Sequence, residues 1–553
     1  MSDRSDAIDR RAFLGHAAVL GAAAAAGVGR PEDAAAAVQA ASPVRGRPAP
    51  ALGGFELEEA TVADLQAGMA SGRYTARRIT EQYLERIAAM DSAGPTLHSI
   101  IETNPDALAL AEELDRERAA KGPRGPLHGI PVLLKDNIDT ADRMTTTAGS
   151  LALEGSIAPR DSGIVERLRN AGAIPLAKTN LSEWANERST RSSSGWSARG
   201  GQCRNPFVLD RNPCGSSSGS AAAVSANFGA VAVGTETDGS IVCPASANGI
   251  VGIKPTVGLL SRAGIIPISH TQDTPGPLCR TVADAAALLG AMAGADPRDG
   301  ATTASAGHVV EDYTRFLDPA GLRGARIGVA REKFFGYNDA TDRVTESALD
   351  ALRQAGAIVV DPANIPHAGT YDDAESEVLL FEFKADLATY LASLGPNARV
   401  RTLADVIAFN EKERDREMPY FGQELFVQAE AKGPLTSKAY RKALDTCRRL
   451  ARAEGLDAVM ARLRLDAIVA PTGNPAWPTD LVNGDHLTGS SSTPAAVAGY
   501  PSISVPMGYV SGLPVNLSFI GLAWSEPALI RYAYALEQIT MQRKAPRFRP
   551  TLA

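Results

Sequence analysis

Between Thr61 and Asp91 apolar side chains twice recur at helical spacing. Val62, Leu65 and Met69 share a face behind a capping pair, Thr61 with Asp64, and a second helix from near Thr75 carries Ile79, Tyr83 and Ile87 before fading around Asp91. After this pair the pattern changes to short apolar runs at 130–134, 174–177 and 230–234, interleaved with helical stretches near 163–171 and 220–228. Such alternation predicts an α/β domain with a mostly parallel central sheet. The more polar stretch 300–435 reads as a helical flank with strand-like runs at 326–329 and 357–360. Short buried strands follow at 467–470 and 502–505, and a closing helix at 527–541. With no internal repeat and no long linker after Phe55, the expectation is one large domain over 55–545.

Composition supports a sizeable core, since 44% of the 553 residues are hydrophobic and 22% charged. A formal net charge of -7 without a long Lys or Arg block gives no electrostatic footprint for nucleic acid or an anionic membrane, and favours a small neutral ligand. Near the N-terminus, Arg10-Arg11 followed by Phe13-Leu14 and the apolar run 17–28 resembles a twin-arginine (Tat) export signal. The run falls short of the roughly 18 to 20 residues that span a bilayer. The expectation is a signal over 1–41, a Pro-, Gly- and Ala-rich linker over 42–54, a periplasmic or extracellular mature protein, and no stable membrane association. Five cysteines, at 203, 214, 243, 279 and 447, form no CxxC pair. In an exported protein one or two disulfides stay open, with at least one thiol left over and none expected to be essential.

The chemistry concentrates in two small-residue turns. One is Cys214-Gly215-Ser216-Ser217-Ser218-Gly219-Ser220; the other, Thr235-Glu236-Thr237-Asp238-Gly239-Ser240, directly follows the apolar run 230–234. Small residues at a strand end let the backbone approach a ligand and turn consecutive N–H groups into one concavity. Residues 215–219 match G-x-S-x-G, but a turn rather than a buried strand feeds them, so a nucleophile elbow is not expected. Residues 172–179 approach a P-loop with Ala177 where the second glycine belongs, which argues against ATP. The seven histidines contain no HExxH or other close ligand pair, while a spatial Ser-His-Asp triad stays open. A lysine base is the sharper alternative. Lys135 closes the run 130–134, where desolvation would lower its pKa; taken alone, it reads first as a snorkelling surface lysine.

Lys135-Asp136-Asn137, the cluster 214–220 and the turn 237–241 together resemble the amidase signature family, in its chain order and with its serine spacing. Further matches are Gly125 to Pro131, Ala177 to Leu181, Gly252 to Thr256, Asp273 to Pro277, Gly499-Tyr500-Pro501 and Gly512-Leu513-Pro514, so the resemblance covers nearly all of the mature chain. It implies the family fold, a single large domain whose mixed, mostly parallel sheet is covered by helices on both faces. It also implies Ser240 as nucleophile, Ser216 as bridging serine on a cis peptide bond, Lys135 as base, and the N–H groups of Thr237, Asp238, Gly239 and Ser240 as oxyanion hole. The resemblance implies neither a metal nor a cofactor. The substrate would be a small-molecule or peptide amide, and the oligomeric state stays open.

Departures from the commonest family pattern sharpen this expectation. Asp238-Gly239 stands where many members have two glycines, Val242 where many have Arg, and Cys214 and Ser218 replace glycines. Without a fixed guanidinium at 242, a neutral substrate fits better than a carboxylate. These departures, with the stretches 181–186 and 194–201, look closest to the bacterial peptide amidase branch, whose members remove the C-terminal amide of peptide amides and spare internal peptide bonds. Trp184 and Trp196 read equally as core aromatics or as specificity residues. The alternatives are a broad acylamidase or esterase acting on aryl or fatty amides, and a secreted, non-catalytic binding protein on the same scaffold.

Overall fold

The computed structural model describes residues 54–552 apart from 397, so the signal and all of the linker except Gly54 lie outside the described residues. The paired helices form as their patterns dictate. Val62–Ala70 starts at Thr61, whose side chain and that of Asp64 complete a reciprocal capping box, and buries Val62, Leu65 and Met69. Ala76–Met90 is capped by Thr75 and buries Ile79, Tyr83 and Ile87. The described residues belong to one unit of the chain, Leu52–Ala553.

Thirteen strands follow in chain order: β1 (Ile100–Thr103), β2 (Pro131–Lys135), β3 (Ile174–Thr179), β4 (Trp196–Ser197), β5 (Gly201–Gln202), β6 (Val231–Glu236), β7 (Val251–Lys254), β8 (Thr274–Cys279), β9 (Arg326–Val329), β10 (Ile358–Val360), β11 (Ala467–Pro471), β12 (Ser502–Val510) and β13 (Leu513–Ile520). β4 and β5 pair as a small ribbon. The other eleven form one sheet in the order β1-β3-β2-β6-β8-β7-β12-β13-β11-β9-β10. Every residue of β2, β3, β6, β7, β8, β11 and β13 is buried. Because successive side chains point to opposite faces, unbroken burial means that both faces are covered by the flanking helices.

The sheet is mixed, and its parallel ladders fall into two blocks, β3-β2-β6 and β11-β9-β10. Antiparallel ladders join all other neighbours. The alternation of runs and helices was informative for the first block, where strands must be linked by crossovers. Its parallel strands all end on the same edge, the usual place for a binding crevice in such sheets. β8 is the least legible strand, since Pro275 and Pro277 argue against a central position. It pairs with β6 along its whole length but with β7 only through Leu278 and Cys279, so the prolines lie beside a ladder that does not extend to them.

Candidate active site

Lys135 is the last residue of β2, and Thr235 and Glu236 end its parallel neighbour β6. The Lys135 side chain is fully buried. Its Nζ donates to Ser216 Oγ at 2.7 Å, Thr235 Oγ1 at 2.9 Å and Thr235 O at 3.2 Å. As an ammonium, its three hydrogens match these three acceptors; as an amine, it has a lone pair able to take the Ser216 proton. Burial pushes the Lys135 pKa down to about 7, against the opposing pull of Asp273 and Glu236. Thr235, which the sequence placed only in a turn, therefore aims the lysine. Asn137 Nδ2 also donates to Thr235 Oγ1, at 3.0 Å.

Ser216 follows a cis Gly215–Ser216 peptide bond and is fully buried just before helix Ser218–Ser225. That helix needs its small residues. A Cβ on Gly219 would lie 2.3 Å from Ser99 O and 2.5 Å from Asn180 O, so only glycine lets the helix start this close to β3. Ser217 Oγ donates to Thr235 O at 3.0 Å, which ties this turn to the end of β6.

Ser240 sits in the turn between β6 and helix Val242–Ala247, with 8% of its surface exposed. Gly239 has φ +79°, the left-handed geometry that favours glycine. Ser217 N donates to Ser240 O at 3.1 Å, so the two serine turns are in backbone contact. The Ser240 hydroxyl itself makes no hydrogen bond to another described residue, and the geometry joins Lys135 with Ser216 more tightly than either with Ser240. The N–H groups of Thr237, Asp238, Gly239 and Ser240 donate to no acceptor among the described residues. The side chains around them are fixed, with Thr237 Oγ1 donating to Asp273 Oδ1 at 2.6 Å and Thr493 Oγ1 to Asp238 Oδ2 at 2.7 Å.

Glu236 is a participant that motif reading missed. Its Oε2 accepts from the N–H groups of Ile241 at 2.7 Å and Val242 at 3.0 Å, anchoring the backbone immediately after Ser240. Lys254, pushed down to about 8 by burial, is held up in part by the Glu236 carboxylate. The first role is local to one turn and the second depends on β6 and β7 converging across β8, which position in the sequence does not reveal.

A cavity of about 600 Å³ adjoins these groups, lined by Asn137, Thr235, Thr237 and Asp273. Also lining it are Ile265, Ile266 and Ile268 from a loop, whose Ile266 and Ile268 N–H groups donate to Asn137 O at 2.9 Å and Asp273 Oδ2 at 2.8 Å, and Tyr390 and Asp386 from helix Asp372–Ser393. Ser216, Ser240 and Lys135 are not themselves wall residues, so they adjoin the cavity at its Thr235–Thr237 edge. Three guanidiniums reach the wall and each has a carboxylate: Arg160 with Glu166 at 2.8 Å, Arg262 with Asp299 at 2.6 Å, and Arg298 with Glu166 at 2.9 Å. Trp184 and Trp196 are core aromatics; the first meets Phe426 edge-on and the second Phe421. Among the described residues one group of metal-capable side chains converges, His270, Glu382 and Asp386. Its oxygens are already engaged, Asp386 by His270 Nδ1 at 2.9 Å and Glu382 by Tyr440 and Ser269 hydroxyls at 2.5 Å each. Cys214 and Cys243 form a disulfide, while Cys203, Cys279 and Cys447 are free and buried.

Known proteins share this architecture. A family model described as Amidase matches residues 78–530. The chain is 46% identical over 503 residues to a protein of Arabidopsis thaliana named a probable amidase, covering 89% of this chain and 92% of that one. Among solved structures, native peptide amidase from Stenotrophomonas maltophilia superposes with a TM-score of 0.86 at 55% identity, covering 90% of this chain and all of that one. An amidase family protein from Bacillus anthracis superposes with a TM-score of 0.81 at 37% identity, covering 89% of this chain and 94% of that one.

Proposed function

The chain belongs to the amidase signature family and is a hydrolase acting on amide C–N bonds, and from that premise we propose that it cleaves a neutral carboxamide, the C-terminal amide of a peptide amide, through Lys135, Ser216 and Ser240. The observation that carries this reading is the 2.7 Å contact of Lys135 Nζ with Ser216 Oγ inside a site where burial holds the lysine pKa near 7. Amine Lys135 takes the Ser216 proton, Ser216 takes the Ser240 proton, and Ser240 Oγ forms a bond to the amide carbon. The N–H groups of 237–240 receive the oxyanion. Collapse breaks the C–N bond, the nitrogen leaves as ammonia with the relayed proton, and water repeats the attack on the acyl-Ser240 ester to release the acid.

A neutral substrate is supported by the partnered guanidiniums in the cavity wall, by its isoleucine face, and by Val242, which offers no charge beside Ser240. A peptide amide is supported by the 55% identity to the Stenotrophomonas maltophilia protein, a peptide amidase. The twin-arginine segment further supports export, and a disulfide suits an oxidising compartment. Cell fractionation of wild type against Arg10→Lys/Arg11→Lys tests export: the variant should accumulate in the cytoplasm, and equal distribution removes the proposal. Ammonia release from a peptide amide, an aryl amide and a long-chain amide tests the substrate. The account expects the highest kcat/KM on the peptide amide; a clear preference for aryl or fatty amides would establish the broad acylamidase instead.

A further inference from the structure

The turns bearing Ser216 and Ser240 come from separate stretches of chain, and three ties hold them together. Ser217 N donates to Ser240 O at 3.1 Å. Asn248 Nδ2 donates to Pro213 O at 2.9 Å and to Pro244 O at 2.8 Å. The third tie is covalent: Cys214, two residues before Ser216, is bonded to Cys243, three residues after Ser240, with their Cα atoms 6.0 Å apart.

Two features single out the covalent tie. Cys214 has φ +57°, a left-handed geometry that disfavours any side chain and would suit glycine. The backbone therefore gains nothing from a cysteine here, and the cross-link is what the side chain contributes. Both sulfurs lie in an apolar cluster with Phe207, Val208, Ala247 and Trp477, apart from the cavity walls, so the bond is not placed to meet substrate. Cys243 lies in the first turn of helix Val242–Ala247, so its movement transmits directly to Ser240.

We propose that the Cys214–Cys243 disulfide is a positioning device for the proton relay, fixing the Ser216 hydroxyl relative to the Ser240 hydroxyl. The inference rests on the assignment of those serines above, and it revises the expectation that no cystine matters. Relay geometry is steeply distance-dependent, and a displacement of about 1 Å costs roughly 100-fold in rate. The isoleucine loop and helix Asp372–Ser393, which line the cavity, are not attached to the disulfide, so ground-state binding is largely independent of it.

Titration of denatured, unreduced protein should find three free thiols, those of Cys203, Cys279 and Cys447; five would overturn the proposal at its premise. Kinetics of Cys214→Ala/Cys243→Ala and Cys214→Gly/Cys243→Ala follow, the glycine variant relieving the backbone while removing the bond. Both should show kcat lowered about 10- to 100-fold, KM within about twofold, and labelling of Ser240 by a fluorophosphonate slowed in parallel. Wild-type kcat in the glycine variant, or a KM change alone, overturns the proposal. Should either variant fail to fold, wild type is assayed before and after reduction by dithiothreitol, which supplies two electrons and two protons to give two thiols, and again after reoxidation. Reversible loss of kcat is expected, and unchanged kcat with five thiols counted contradicts it. Ser240→Ala separates the two levels: turnover in that variant ends the nucleophile assignment, whereas an inactive Ser240→Ala beside fully active cysteine variants ends only the positioning role.

Discussion

The region adjoining the cavity at its Thr235–Thr237 edge is made of strand ends and tight turns, with Lys135 closing β2, Thr235 near the end of β6 and the serine turns packed between them. A second region, which lines the cavity itself, is a long helix, Asp372–Ser393, and an isoleucine-rich loop. In the first region hydrogen bonds tie Lys135, Thr235 and Ser217 to one another's turns, the Ser240 hydroxyl and the N–H groups of 237–240 are left without a partner among the described residues, and glycines stand where a Cβ would clash or the backbone turns left-handed. The second region offers apolar surface with a few tethered polar groups, such as Tyr390 donating to Asp139 at 2.8 Å. The difference separates two tasks. Proton transfer and oxyanion stabilisation need fixed geometry, whereas choosing among amides needs a surface of suitable shape.

If that division is right, changes in the two regions should alter different kinetic constants. The largest effect belongs to Ser240→Ala, which should reduce turnover of a peptide amide by at least about 10⁴-fold with KM little changed. Substantial turnover would place the nucleophile elsewhere. Lys135→Ala should lower kcat by about 10³-fold while far-UV circular dichroism shows the fold retained, since it removes the relay base at the end of a strand whose backbone ladder stays intact. A KM effect without loss of kcat would move Lys135 to the binding region. The smallest effect is expected from Tyr390→Phe, which removes one donor to Asp139 and is worth roughly 1 kcal/mol. It should shift KM by about three- to fivefold and leave kcat within about twofold; a large loss of kcat would erase the distinction between the two regions.

Legibility followed the same division. The elements of the first region were readable because their signals are local: the strand ending in Lys135 and the small-residue turns each announce themselves within a few positions, as does the cap at Thr61 elsewhere in the fold. Lys135 could be told from a surface lysine only through the resemblance, and the structure supplies the physical reason, complete burial against Thr235 and Ser216. Lys254 and Tyr390 stayed hidden because the groups they act with lie on another strand or far along the chain, whereas Glu236 bonds to Ile241 and Val242 within its own turn, where no motif marks the contact. β8 was obscured by Pro275 and Pro277, whose local preference is overridden by pairing with β6. The stretch at 300–435 read as a helical flank, and its longest helix supplies part of the cavity lining, a role that no local pattern of charges encodes.

The central claim is that Ser240 is acylated when a buried, uncharged Lys135 stands behind Ser216. Intact-protein mass spectrometry of a slowly deacylating amide, followed by peptide mapping across a range of pH, measures this directly. The account predicts a single acyl adduct on Ser240, forming at a rate that rises with pH through a midpoint near 7 and falls about tenfold per unit below it. An adduct on another residue, or a rate that stays flat from neutral into mildly acidic pH, would contradict it.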